Sequence, residues 1–140
     1  MNGRCFVDTN ILVYAQDRSA GTKFEVARSL VNRLWDTKQG VISTQVLQEF
    51  CITMQRKVAR PAKFSDVRAA LEDYLGWIIV INTQTTILDA LLLQGRFQIS
   101  FWDALILCAA ELAEAHVVYS EDLSHRQRYG AVQVINPFLQ

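Results

Sequence analysis

The sequence is poor in the features that would mark a secreted, membrane-spanning or strongly basic protein. Its 14 basic side chains are balanced by 14 acidic ones, which argues against the basic surface of a general nucleic-acid coat protein. No apolar run approaches the roughly 20 residues that span a bilayer, and the N-terminus lacks the basic and apolar regions of a signal peptide. We therefore expect a cytoplasmic protein without a membrane partner, folded as one domain over residues 1–140.

Cysteine and histidine are scarce, which argues against several kinds of site. The three cysteines are far apart and form no Cys-x-x-Cys pair, so we interpret them as buried, reduced thiols. The two histidines, His116 and His125, have no ligand pattern typical of zinc. The phosphate-binding motifs Gly-x-x-x-x-Gly-Lys and Gly-x-Gly-x-x-Gly are missing as well. Carboxylate oxygens remain as candidate ligands, and they suit Mg²⁺ or Mn²⁺.

Hydrophobic residues make up 51% of the chain, and their spacing predicts strands that alternate with helices. This order is typical of an α/β fold with a mostly parallel sheet and helices on both of its faces. The strands are expected at about 5–7, 41–43, 77–81, 116–119 and 132–135. The longer helices are expected at about 22–35, 44–59, 65–75, 83–95 and 102–115.

Local patterns add finer expectations. Thr22 and Glu25 have the spacing of a capping box, and Ser65 is expected to cap a later helix. The strand over 77–81 should be buried on both faces, and the helix over 102–115 should be buried nearly all round. In the helix over 83–95, the residues expected to face the core are Ile87, Leu88, Leu91 and Leu92.

Two acids follow predicted strands. Asp8 ends the first strand, at the edge where open α/β sheets bind ligands, and Asp122 follows the strand over 116–119. If these strands are parallel neighbours, both carboxylates lie at the same edge, where they repel unless a cation or a proton is shared. Asp8 could equally be a helix cap and Asp122 a turn residue.

Two further acids belong to predicted helices. Ser100 and Asp103 are spaced like a capping box, and a carboxylate in the first turn is favoured by the helix dipole and held rigidly. Glu49 lies beside the apolar stripe of its predicted helix, near Val46 and Phe50, although by itself it is more typical of a solvated helix residue. Glu121, next to Asp122, leaves open which of the two acids faces the site.

Four short segments surround these acids and follow one another along the chain. They read Phe6-Val7-Asp8-Thr9-Asn10-Ile11-Leu12, Gln48-Glu49-Phe50, Phe101-Trp102-Asp103-Ala104-Leu105-Ile106 and Tyr119-Ser120-Glu121-Asp122-Leu123. In this order they resemble the successive motifs of PIN-domain ribonucleases, in particular the VapC-type toxins of bacterial toxin–antitoxin pairs. The resemblance covers almost the whole chain.

The resemblance implies a three-layer α/β/α fold and hydrolysis of RNA phosphodiester bonds with Mg²⁺ or Mn²⁺. It also implies a small antitoxin partner and a homodimer. The acidic cluster that would hold the metal matches Asp8, Glu49, Asp103 and Asp122, and the supporting polar positions match Thr9, Asn10 and Ser120. Candidate cationic contacts to RNA, each otherwise an ordinary solvated charge, are Arg18, Arg56, Lys57, Arg60, Arg126 and Arg128.

Two other functions fit parts of the sequence. A phosphatase that uses Asp8 as its nucleophile would need a second Asp two residues later, where Asn10 stands. A catalytically silent module that binds RNA or a protein could keep the same fold, but the presence of all four acids does not indicate lost activity.

Overall fold

The structure of the chain, a computed structural model, describes residues 3–56 and 61–139. The strands are β1 (Cys5–Val7), β2 (Gly40–Ser43), β3 (Ile78–Val80), β4 (Val117–Tyr119), β5 (Arg128–Tyr129) and β6 (Val132–Ile135). They form a six-stranded sheet in the order β3-β2-β1-β4-β6-β5. Every pair is parallel except β5 with β6. The predicted mostly parallel α/β sheet is therefore confirmed.

Helices connect the strands on both sides of this sheet. They are α1 (Thr9–Tyr14), α2 (Thr22–Thr37), α3 (Thr44–Arg56), α4 (Phe64–Tyr74), α5 (Gln84–Phe97) and α6 (Phe101–Leu112), with a short 3₁₀ turn at Arg18–Ala20. Crossovers between parallel strands are right-handed. The reversal of direction after β3 therefore puts α5 and α6 on the opposite face from α1 to α4. No helix of the described ranges is long and apolar enough to cross a membrane.

The core lies on both faces of β1, β2 and β4, which explains why these strands are almost continuously apolar. Phe6 of β1, Ile42 of β2 and Val118 of β4 are completely buried, as are Ile11 of α1 and Phe50 of α3. The three cysteines are free; Cys5 and Cys108 are buried as predicted, whereas Cys51 is only half-buried. Because β1 and α1 are both locked into this core, the peptide that joins them is held rigidly.

Helix α6 confirms one prediction, and α5 contradicts another. Residues 104–110 of α6 are all buried, as expected for a helix enclosed nearly all round. On α5, however, the four aliphatic residues predicted to face the core are 47–75% exposed, namely Ile87, Leu88, Leu91 and Leu92. The opposite face packs on α6 through Ala90 and Leu93. Apolar residues cover so much of the circumference of α5 that their spacing could not identify the buried face.

Several local predictions were also wrong. Helix α2 begins at Thr22 and is capped by Gly21, whose carbonyl accepts a hydrogen bond from the Glu25 amide, so no capping box forms. Ser65 lies inside α4 and is not its cap, which is Lys63.

The third strand is only half-buried, because β3 is at the edge of the sheet. The short antiparallel strand β5 was not predicted. The predicted end of the helix over 44–59 lies partly outside the described residues.

Candidate active site

The carboxyl ends of β1 and β4 are neighbours in the sheet, at the point where the chain changes the direction in which it adds strands. From β1 the chain proceeds to β2 and β3 on one side, and later returns to β4 on the other. Ligands bind in open α/β sheets at this kind of position, beyond the carboxyl ends of the strands. Val7 pairs with Tyr119, so the residues that follow β1 and β4 are brought together. The expected neighbourhood of Asp8 and Asp122 follows directly from this register.

Asp8 is the acid fixed most firmly. Only 7% of it is exposed. Its Oδ1 accepts a hydrogen bond of 2.8 Å from the amide of Thr9, and its Oδ2 accepts one of 2.8 Å from the hydroxyl of Ser120. The first bond makes Asp8 the N-cap of α1. The alternative interpretation of Asp8 as a helix cap is therefore correct, and the capping hydrogen bond also fixes the orientation of the carboxylate.

The environment of Asp8 disfavours its ionised form. The pKa of Asp8 is raised from the usual 3.8 to about 6, mainly by burial and also by the charges of Asp122 and Glu49. The hydrogen bonds from Ser120 and Thr9 oppose this rise. A buried carboxylate near other acids is stabilised by a cation, which offsets both the lost solvation and the repulsion.

Glu49 faces the same point from α3. Its Oε1 accepts a hydrogen bond of 2.7 Å from the hydroxyl of Thr9, and its Oε2 accepts one of 3.5 Å from the side-chain amide of Gln45. Thr9 therefore connects the end of β1 with α3 and orients the carboxylate. The structure makes Glu49 a half-buried residue of a cleft, which its spacing alone did not indicate.

Asp103 enters from the first turn of α6. The hydroxyl of Ser100 accepts a hydrogen bond of 3.0 Å from the amide of Asp103, so the N-cap seen in the sequence is present. Burial raises the pKa of Asp103, the hydrogen bond with Ser100 lowers it, and Glu49 raises it again. A position in the first turn also lets the helix dipole favour the negative charge.

Asp122, and not its neighbour, completes the group. Its backbone amide donates to the hydroxyl of Ser120 at 3.1 Å. The side-chain amide of Asn10 donates to its Oδ2 at 3.4 Å. Ser120 thus contacts both Asp8 and Asp122, so the two acids after β1 and β4 share one support.

Glu121 points elsewhere. It accepts a hydrogen bond of 2.6 Å from the hydroxyl of Tyr14 and forms an ion pair of 2.8 Å with Lys23. Burial alone would raise the pKa of Glu121, but the hydrogen bonds from Lys23 and Tyr14 lower it overall. Its charge is therefore already neutralised away from the other acids.

The four predicted acids line one open cleft of about 540 Å³. Thr9 and Asn10 also line it, whereas Ser120 is fully buried behind Asp8. The sequence did not point to the rest of the wall, which consists of Gln45, Gln48, Ile52, Thr53, Trp102 and Ile106. Four of these residues lie on α3, either next to Glu49 or one helical turn from it. If the side chain of Glu49 had been assumed to face the sheet edge, these neighbours would have been predicted to line the site as well.

None of the predicted cationic residues in the described ranges lines this cleft. Arg56 is exposed at the end of α3, about two turns beyond Glu49 on the same face. Arg126 and Arg128 are exposed near β5, and Arg18 lies in the 3₁₀ turn. Lys57 and Arg60 lie outside the described residues.

The chemistry of the cleft fits a hydrated divalent cation. Four carboxylates from four segments meet there, and no Lys or Arg of the described lining neutralises them. Within 3–56 and 61–139, no three acidic, His or Cys side chains are close enough to form a ready-made metal centre. Mg²⁺ does not require one, because it keeps several waters and binds through one or two carboxylates. The buried Oε1 of Gln45 has no hydrogen-bond partner in this part of the chain and could accept from such a water.

Comparison with solved structures shows the same fold in other proteins. A chain of a toxin–antitoxin complex from Klebsiella pneumoniae is 17% identical, with a TM-score of 0.70 and coverage of 96% of this chain and 98% of that one. VapC20 from Mycobacterium tuberculosis, a toxin that cleaves the sarcin–ricin loop, is 21% identical, with a TM-score of 0.65 and coverage of 84% and 89%. No curated protein matches the sequence.

The sequence itself provides the family. It matches the PIN domain over residues 5–130, a range that contains all four acids of the cleft and all the strands from β1 to β5. The chain therefore belongs to the PIN domain family.

Proposed function

We propose that this protein is a Mg²⁺- or Mn²⁺-dependent endoribonuclease, and that it is the toxin of a type II toxin–antitoxin pair with a small antitoxin as its partner. The observation that carries the proposal is the convergence of Asp8, Glu49, Asp103 and Asp122 on one cleft at the reversal point of the sheet. Membership of the PIN family and the toxins among its structural neighbours support it. We also propose that residues 1–140 form a single domain, because one sheet joins Cys5 to Ile135.

The side chains of the cleft would hold the ion and position the scissile phosphate. When bound, a divalent cation lowers the pKa of water, polarises the phosphoryl oxygen and stabilises the leaving oxygen. Asp8, Glu49, Asp103 and Asp122 are the candidate ligands, with Glu49 reaching the cleft from α3. The ion also reverses the local negative field, so that a phosphate can enter the cleft of a protein without net charge.

The polar residues keep these acids in place before any substrate arrives. Ser120 connects Asp8 with the amide of Asp122, and Thr9 donates to Glu49. A catalytic group that is already oriented does not have to be ordered when the reaction occurs. We propose that Thr9, Asn10 and Ser120 are positioning residues.

The proposal is tested by cleavage of a mixed RNA set with Mn²⁺ or Mg²⁺, with EDTA, and with Asp103→Asn protein. Glu111→Gln is the matched control, because Glu111 is an exposed acid on the same helix and does not line the cleft. We expect cleavage by the native protein and by the control, and loss of cleavage with EDTA and in Asp103→Asn. Cleavage that survives in Asp103→Asn would contradict the proposed site. No cleavage, together with no metal bound by calorimetry, would favour a silent interaction module.

We further propose that the exposed face of α5 mediates homodimerisation. This face, formed by Ile87, Leu88, Leu91 and Leu92, contains no charged side chain, and exposed apolar patches of this kind mark interaction sites. A two-fold interface pairs a surface with itself, so a neutral apolar face suits it.

The charges beside this face agree with a second copy as its partner. Asp89 and Arg96 lie almost two turns apart on one edge of α5, and neither forms an ion pair within the described residues. If two copies of α5 pack antiparallel about a two-fold axis, Asp89 of each copy lies near Arg96 of the other. Opposite charges are then matched at both ends of the contact.

A further inference from the structure

Lys23, in the first turn of α2, contacts groups from three other segments of the chain. Its Nζ forms the ion pair of 2.8 Å with Glu121 and lies 5.0 Å from the ring centroid of Tyr14 and 5.2 Å from that of Phe138. The two rings also contact each other edge to face, with 5.4 Å between their centroids. A carboxylate and the faces of aromatic rings both attract a cation, so these contacts favour one position of the ammonium.

The stability of α2 does not account for this arrangement. Lys23 is the second residue of the helix, where the helix dipole disfavours a cation. The side chains of Lys23 and Glu121 are 45% and 17% exposed, and ion pairs that are partly in solvent contribute little to the free energy of unfolding. The consequence of the pair is therefore local, at the residue that follows Glu121.

Helix α1 connects the pair with the candidate active site. Asp8 caps the N-terminus of α1, and Tyr14 is its last residue, about 9 Å away along a helix of six residues. The hydroxyl of Ser120 donates to Asp8 at the first end. The hydroxyl of Tyr14 donates to Glu121 at the other end, at 2.6 Å. Two consecutive residues after β4 are thus attached to opposite ends of one helix, which fixes the direction of the backbone between them.

Asp122, the next residue, is the acid of the cleft that burial supports least. It is exposed, whereas Asp8 is buried and Glu49 and Asp103 are half-buried. It lies in irregular backbone after β4, and the hydrogen bond from Asn10 to its Oδ2 is long, at 3.4 Å. The direction of its carboxylate therefore depends in part on how the preceding residue is held.

We propose that the Lys23–Glu121 ion pair and the Tyr14 hydroxyl anchor the segment after β4 and so position Asp122 to bind the divalent cation. Lys23 and Tyr14 are then positioning residues, although neither lines the cleft. The proposal rests on the proposed metal-dependent nuclease and extends its site to residues outside the cleft. It predicts an effect opposite in sign to that of charge alone. Loss of the Lys23 charge makes the protein more negative, which by itself attracts a cation, whereas loss of the anchor weakens cation binding.

The test measures Mn²⁺ affinity by calorimetry, without RNA, in the native protein and in three variants. Lys23→Met keeps the length of the side chain but removes the charge, Lys23→Arg can keep the ion pair, and Tyr14→Phe removes only the hydroxyl. Lys63→Met is the matched control, because Lys63 is exposed at the start of α4 and forms no ion pair within 3–56 and 61–139. Thermal melts in EDTA check that every variant folds.

We expect Lys23→Met to bind Mn²⁺ roughly 10- to 100-fold more weakly, the range found for loss of groups that orient metal ligands. Tyr14→Phe should also weaken binding, while Lys23→Arg and Lys63→Met should keep the native affinity. A folded Lys23→Met that binds Mn²⁺ as tightly as the native protein, or equal losses in Lys23→Met and Lys23→Arg, would overturn the anchor and leave the nuclease in place. A native protein that binds no Mn²⁺ and cleaves no RNA would overturn both proposals.

Discussion

The cleft and the outer face of α5 break the usual distribution of side chains in opposite ways. In the cleft, Asp8 is a carboxylate that is 7% exposed, whereas on α5 four aliphatic side chains are in water. A buried charge and an exposed apolar patch both depart from the usual rule of apolar residues inside and charged residues outside, and each is unfavourable in the isolated chain. They differ in the partner that would remove this unfavourable free energy, which is a cation for the cleft and a protein surface for α5.

Neighbouring helices sharpen the comparison, because α5 and α6 are both rich in aliphatic residues. Helix α6 packs between the sheet and α5, so its residues 104–110 are buried. Helix α5 packs on α6 with one face and has its other face in solvent. Similar composition therefore has different consequences in the two layers. The predictions below separate these cases.

The largest effect is expected for Asp8→Asn, which removes the buried charge but little volume. Cleavage should fall by roughly 1,000-fold or more, since several kcal/mol of metal-dependent stabilisation of the transition state are lost. Asp36→Asn, in which the acid is exposed on α2, should cleave normally. Single-turnover assays on one labelled RNA measure both, and comparable rates for the two variants would rule Asp8 out of the mechanism.

Truncation should affect the two helices very differently. Leu107→Ala on α6 should lower the free energy of unfolding by about 2–5 kcal/mol, because it leaves a cavity in the core. Leu91→Ala on α5 should change it by less than about 0.5 kcal/mol at a protein concentration where the chain is monomeric. Urea unfolding monitored by circular dichroism measures the difference, and equal losses would mean that α5 is not an outer layer.

Polar substitution on α5 should weaken self-association. Leu88→Gln combined with Leu91→Gln should raise the dissociation constant of the dimer at least about 100-fold, since burial of each leucine contributes about 1.5–3 kcal/mol. Leu75→Gln is the matched control, because Leu75 is 60% exposed at the end of α4, outside this face. Sedimentation equilibrium measures the constant. A native protein that stays monomeric, or a double variant that dimerises normally, would refute this interface.

The smallest expected effect is a pH dependence in metal-free protein. The pKa of Asp8 is about 6 when folded and 3.8 ordinarily, so the folded chain binds more protons between these values. The contribution of Asp8 to stability is thus complete below pH 4 and is lost as the pH rises through about 6. From pH 5 to pH 7 we expect the native protein to lose about 1 kcal/mol relative to Asp8→Asn. Parallel urea titrations in EDTA measure this, and identical pH profiles would contradict the buried charge.

Sequence reasoning was reliable where the signal was local and repeated. The buried strands after Arg4 and before Ser120, the enclosed helix α6 and the N-cap at Ser100 agree with the structure. The order of the four acidic motifs also identified the family, and the register of β1 with β4 brings Asp8 and Asp122 together as expected. The strands, the helix and its cap follow from hydrophobic period and local residue type, and the family follows from the order of the motifs. The sequence left open whether β1 and β4 are parallel neighbours, and the structure shows that they are.

Only the tertiary structure decided the direction of individual side chains. Glu121 and Asp122 are adjacent and chemically alike, and what separates them is that Lys23 and Tyr14, distant in sequence, neutralise the first. The wall formed by Gln45 and Trp102 exists because α3 and α6 approach each other. The outward face of α5 depends on which of its apolar sides meets α6. Such choices depend on contacts between segments that are remote in the chain, and neither periodicity nor composition records them.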